Sequence, residues 1–272
     1  MIEPSALPHV PLQDPSLLRQ AKPRTSGITM VIDKGLGMNA FADLLQTASD
    51  YIDFLKIGFG TTSLYPANLL RKKVSMAREY GVAAYPGGTF LEVALAHNSL
   101  DHYFKTVKMM GFSTIEISDG TLSYSRELRG RLVERAIRED LQVISEYGKK
   151  KPGYSLDVDD FSRTVEEDIA RGCCYVIVEG RESGRGVGVF DEAGECDQDL
   201  VRQMISHIAN RHQLLWEAPN KDQQVFFINH LGRDVNLGNI SPQDIYSLEA
   251  LRRGLRSDTF VFPHQCEEEK LC

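Results

Sequence analysis

Eight times along the 272-residue chain, a short apolar run stops at glycine or charge, and a segment of helical spacing follows. The runs are Ile28–Asp33, Tyr51–Ile57, Val82–Tyr85, Thr114–Ser118, Gln142–Glu146, Tyr175–Val178, Leu214–Trp216 and Val235–Leu237. Glycine-bounded runs of this length read as strands. Between and after them lie Ala40–Ser49, Ala67–Tyr80, Ser99–Met110, Ser125–Glu139, Asp159–Arg171, Asp197–Ala209, Gln223–Leu231 and Pro242–Arg253. Each carries an apolar stripe, such as Leu69, Leu70, Val74 and Ala77, that would cover the outside of a sheet. Ser125 and the Ser241-Pro242 pair are helix-start signals.

A helix between successive strands makes the strands parallel. Eight such units predict an α/β fold closed as a (β/α)8 TIM barrel in a single domain, because closure leaves no free sheet edge. The alternative is an open doubly wound sheet. Its dinucleotide-binding version lacks support, since no Gly-x-Gly-x-x-Gly follows the first strand. Residues 1–26 read as an N-terminal arm with a helical turn at Pro15–Gln20, residues 27–260 as the barrel catalytic domain, and 261–272 as a polar C-terminal tail.

The net charge of −7 shows no basic excess, which argues against a nucleic-acid partner. Five cysteines, an odd number without two Cys-x-x-Cys pairs, argue against a zinc site and a disulfide framework. No run approaches the roughly 18 apolar residues of a membrane span, and no signal peptide is evident. A soluble, cytoplasmic protein is expected.

In a barrel of this kind, function gathers at the carboxyl ends of the strands. Those ends carry Asp33, Glu116, Asp119, Glu146, Glu179, Glu182 and Glu217, with Lys34, Lys56, Lys149, Lys150, Arg181 and Arg185. A carboxylate facing the interior needs a cation or a metal. Converging carboxylates suit Mg²⁺, which prefers oxygen ligands; a ring of Glu–Lys/Arg pairs would satisfy them equally. The loop Gly180–Gly188, with four glycines and two arginines, suits an anion. Gly238-Asn239-Ile240-Ser241-Pro242, placed after the eighth strand, suits a phosphate on a helix N-terminus. Gly87-Gly88-Thr89 is a less specific version. No Gly-x-Ser-x-Gly and no strand-end histidine is present, so acid–base work falls to Lys, Glu and Asp. Phe59 and Trp216 read as core or wall residues.

Several of these strings, taken together, resemble the phosphosulfolactate synthase family. They include Met30-Val31-Ile32-Asp33-Lys34-Gly35, Tyr85-Pro86-Gly87-Gly88-Thr89, Ile115-Glu116-Ile117-Ser118-Asp119-Gly120, Gly148-Lys149-Lys150, Glu179-Gly180-Arg181-Glu182-Ser183-Gly184 and Val235-Asn236-Leu237-Gly238-Asn239-Ile240. The resemblance runs in unbroken order from about Gly27 to Phe260. It implies a TIM-barrel lyase that adds sulfite to phosphoenolpyruvate with Mg²⁺, giving (2R)-phospho-3-sulfolactate for coenzyme M or sulfolactate formation. It implies a lysine at the end of the fifth strand as general acid: Lys150, with Lys149 as fallback. Glu116, Glu146 and Glu179 are the expected metal ligands. Lys34, Lys56, Arg181, Ser183, Arg185, Gly238 and Asn239 are expected on the substrates. A homo-oligomer is expected. The alternatives are a non-catalytic, heat-stress-associated relative and a barrel enzyme acting on another phosphorylated enol.

Overall fold

The computed structural model describes residues 9–151, 154 and 156–261. Met1–Pro8 of the arm and residues 262–272 of the tail lie outside the described residues. Eight parallel strands form one nearly closed barrel: β1 (Thr29–Asp33), β2 (Phe54–Ile57), β3 (Ala83–Pro86), β4 (Thr114–Ile117), β5 (Gln142–Tyr147), β6 (Tyr175–Val178), β7 (Leu214–Glu217) and β8 (Asn236–Ile240). The ladder runs β3-β2-β1-β8-β7-β6-β5-β4. Strands β3 and β4 stand side by side at the seam. The helices are α1 (Val10–Gln13), α2 (Met38–Ala48), α3 (Ala67–Glu79), α4 (Gly88–Ala96), α5 (Leu100–Met110), α6 (Arg126–Arg138), α7 (Val158–Ala170), α8 (Gln198–Ser206), α9 (Lys221–Leu231) and α10 (Ile245–Arg253).

Three expectations on element placement need correction. The eighth strand is not Val235–Leu237 but continues to Ile240, so Gly238 and Asn239 are strand residues and not a loop after it. Gly238 is there because two strands' side chains crowd it: an added Cβ would lie 2.5 Å from Leu215 and 2.6 Å from Met30. The third crossover holds two helices, since α4 begins directly at Gly88. The arm's short helix is α1, N-terminal to the predicted Pro15–Gln20 turn. The Ser125 signal holds: its side chain accepts from the Leu128 N–H and starts α6.

Alternation along the strands sorts the side chains into two cores. Outward residues such as Val31, Leu55, Ile115, Val143, Val176 and Leu237 meet the helix stripes in a continuous apolar layer. Inward residues Met30, Phe54, Tyr85, Ile144, Ile177 and Leu215 fill the barrel itself. Two residues further along the same strands, the inward positions become Ile32, Lys56, Glu146, Glu179 and Glu217. The floor of the barrel mouth is thus a layer of charge resting on a layer of hydrocarbon.

At the opposite end, arm residues tie the strand starts together. Arg24 pairs with Asp53 at 2.9 Å, and Arg19 with Glu249 at 3.0 Å. Arg252 is fully buried and donates to the carbonyls of Arg233, Val235 and Ile28. Closure of this end leaves the carboxyl-terminal mouth as the open face.

Candidate active site

Lys56 stands at the centre of the mouth. Its ammonium lies 2.9 Å from Glu116 Oε2, 3.2 Å from Glu217 Oε1 and 3.5 Å from Glu146 Oε2. Lys150 bridges the other side, 2.8 Å from Glu146 Oε1 and 3.1 Å from Glu179 Oε2. All four carboxylates are buried. Four carboxylates therefore share two ammonium groups in a poorly solvated layer. That leaves uncompensated negative charge, which burial penalises.

The charge states follow from this imbalance. Burial pushes the Glu116 carboxyl up to about 7, although Lys56 opposes the rise. Burial and the Glu146 carboxylate also push Glu179 well above the usual range. Burial would raise Glu146 too, but Lys150 and Lys56 outweigh it and hold that group low. Both lysines lose solvation, yet the surrounding carboxylates keep them more basic than a free lysine. A carboxyl raised on folding binds its proton more tightly in the native state, so its share of stability falls as pH rises from about 4.5 to about 7. Without added metal, Glu116→Gln should flatten that part of the pH–stability curve. A slope unchanged between pH 5 and 7 in thermal melts would contradict the assignment.

Ser118 and α4 organise the seam. Ser118 Oγ is 2.9 Å from both Glu146 Oε1 and Glu92 Oε1, and Glu92 Oε2 accepts from the Thr121 N–H at 2.8 Å. The Gly88 N–H, at the start of α4, donates to Glu116 Oε1 at 2.7 Å. An added Cβ on Gly88 would lie 2.5 Å from Ser118 Cβ and 2.7 Å from Glu116 Oε1. Gly88→Ala should therefore cost about 1–3 kcal/mol by overpacking, read as a lower denaturant midpoint. A midpoint equal to wild type would show that the seam yields.

A cavity of about 210 Å³ opens above this layer. Lys56, Glu116, Glu146, Lys150, Glu179, Arg181, Glu217 and Asn239 all line it. Asn239 is buried, and its Oδ1 has no hydrogen-bond partner among the described residues. Lys149 turns away, into a separate depression, where it pairs with Asp119. Lys34 is exposed and pairs with Glu182 at 3.4 Å. Ser183 and Arg185 are exposed on the loop after β6 and do not line the cavity, nor does Gly238. Asp33 also leaves the mouth: it pairs with buried Lys73 and accepts from the Gly35 and Leu36 N–H groups.

Oxygens of Glu146, Glu179 and Glu217 lie within 4.8 Å of one another. Glu116 sits beside this trio, engaged by Lys56 and Gly88. A buried, oxygen-only, negatively charged set fits a hard divalent cation.

Sequence reading missed the supports of the site. Arg129 grips Asp168 with two nitrogens and donates to the Glu146 carbonyl at 2.9 Å. The available signal was position: Lys73, Arg129 and Asp168 are charged residues in register with the apolar stripes of α3, α6 and α7. A charge on a core-facing stripe implies a buried partner.

A charged, concave mouth on a (β/α)8 barrel, lined by buried lysine and glutamate, defines a barrel enzyme for small molecules. A sequence model described as (2R)-phospho-3-sulfolactate synthase matches residues 18–258. The chain belongs to that family, and is a lyase. It is 44% identical to phosphosulfolactate synthase of Methanothermobacter thermautotrophicus, over 89% of this chain and 94% of that one. It is 35% identical to the Bacillus subtilis phosphosulfolactate synthase, over 89% and 96%. A plant relative, Protein HEAT-STRESS-ASSOCIATED 32 of Arabidopsis thaliana, is 23% identical over 86% and 88%. Among solved structures, 3-hexulose-6-phosphate synthase from Salmonella typhimurium superposes with a TM-score of 0.52 at 12% identity, over 83% and 99% of the two chains. That likeness concerns the fold alone.

Proposed function

We propose that this chain adds sulfite to phosphoenolpyruvate, with Mg²⁺, to form (2R)-phospho-3-sulfolactate. The observation that carries the reading is Lys150: a cavity-facing ammonium held between two buried glutamates in a member of this family. The sulfur lone pair forms a bond to C3 as the C2=C3 π bond opens. Negative charge builds on C2 and the carboxylate, and the Lys150 proton passes to C2. The phosphate stays on its oxygen, and solvent returns a proton to Lys150. Arg181, on the cavity wall, opposes the mutual repulsion of two anionic substrates.

Glu146, Glu179 and Glu217 are the residues that would hold Mg²⁺, which supplies positive charge for the anion forming on the substrate. Bound there, the ion would also offset the Glu146 charge that helps hold the proton on Lys150. With this reading goes a cytoplasmic, homo-oligomeric enzyme whose product feeds coenzyme M or sulfolactate formation. Among the described residues, no helix is long and apolar enough to cross a membrane.

An omission assay tests the reading. Phosphoenolpyruvate should disappear only when sulfite and Mg²⁺ are both present. Consumption without sulfite, or none with both, would overturn it.

A further inference from the structure

Six non-glycine residues among those described have positive φ: Leu17, Phe59, Asn98, Asp140, Arg181 and Asn239. Asn98 and Asp140 follow helices, in turns where their short polar side chains are at home in this conformation. Phe59, Arg181 and Asn239 come from three different strand ends, yet all line the one cavity above the charged layer. A bulky residue in the left-handed region is a genuine outlier, and such strain gathers where a side chain is held for a purpose.

Phe59 is the hardest of the three to explain otherwise. Its neighbours are Gly58 and Gly60, so the turn lies among residues that adopt φ > 0 freely. The residue is 41% exposed and lies outside both apolar cores. Its backbone is nevertheless pinned. Gly58 N–H donates to the Asp33 carbonyl at 2.9 Å, Thr61 Oγ1 donates to the Gly58 carbonyl at 2.6 Å, and a Cβ on Gly87 would meet the Phe59 oxygen at 3.1 Å. Ile32 and Phe59 supply the apolar side chains of a wall otherwise made of charged, polar and glycine residues. The one apolar part of an enol phosphate of this size is its methylene carbon.

We propose that Phe59 is a specificity-determining residue: its ring closes the apolar side of the cavity against an unsubstituted methylene, and selects against enol phosphates that carry a substituent there. The proposal rests on the substrate reading above. The strained φ is the cost of placing that ring at the mouth.

The test compares phosphoenolpyruvate with its homologue bearing one methyl group on C3, in wild type, Phe59→Ala, Phe59→Gly and Phe59→Leu. The ratio of kcat/KM values should fall about 10-fold or more in the alanine and glycine variants, the scale on which a pocket discriminates one carbon, and less in the leucine variant. Phe59→Gly should also melt at or above the wild-type temperature, because it relieves the strain. Asp140→Gly changes a left-handed residue that does not line the cavity and should leave the ratio unchanged. A ratio unchanged in Phe59→Ala and Phe59→Gly would overturn the proposal. Calorimetric affinities for both enol phosphates are measured alongside. Wild type that binds phosphoenolpyruvate without turnover overturns the reaction, and the same ratio taken on affinities then judges Phe59. Wild type that binds neither enol phosphate overturns both.

Discussion

Lys150→Ala is expected to lower kcat by about 10²–10⁴-fold, the usual contribution of a positioned general acid, while circular dichroism stays that of the wild type. Lys150 is the lysine of the Lys149-Lys150 pair that lines the cavity, and its side chain keeps about a quarter of its surface exposed. That partial exposure limits the damage to the fold, because solvent can reach the carboxylates it leaves behind. Lys149 pairs with Asp119 outside the cavity, so Lys149→Ala should change kcat far less. Equal losses in the two variants, measured as initial rates at saturating substrates, would remove Lys150 from the proton-donor role.

The second large effect is on stability. Lys56 is the shared counter-charge of Glu116, Glu146 and Glu217, and its side chain is 8% exposed. Lys56→Ala leaves buried Glu116 and Glu217 without a cation, and Glu146 with Lys150 alone. Breaking a buried ion pair typically costs about 3–5 kcal/mol, and a loss of that size is expected in denaturant melts at neutral pH. The direction with pH follows from charge: protonating the stranded carboxyls on acidification should return part of the stability. A variant as stable as wild type at pH 7 would mean that the cluster is not held by Lys56.

The barrel was legible because each strand and helix announces itself locally, through a short apolar run or a stripe. The end of the eighth strand is hidden because Gly238 and Asn239 look like turn residues. Glycine is required there by the approach of Met30 and Leu215, and no local pattern reports a neighbour so distant in sequence. The site was half legible. Strand-end charges stood out, but apolar-run endings do not say which charges face inward. Parity does: Glu146 and Glu179 follow Ile144 and Ile177 by two and join the cavity, as Glu217 follows Leu215, whereas Asp33 follows inward-facing Ile32 by one and meets Lys73 on the helix side. Ser183 and Arg185 looked suited to anions by composition, and the loop's own fold carries them away from the mouth.

Proton delivery to one face of C2 is best tested by the product formed in D₂O. Phosphoenolpyruvate, sulfite and Mg²⁺ are incubated with the enzyme and followed by ¹H and ³¹P nuclear magnetic resonance, and the two enantiomers of the product are resolved on a chiral column. One product is expected, with phosphate still esterified, sulfur on C3 and a single deuterium at C2 in one configuration. Release of inorganic phosphate in place of that product, or deuterium on both faces of C2, would contradict the account.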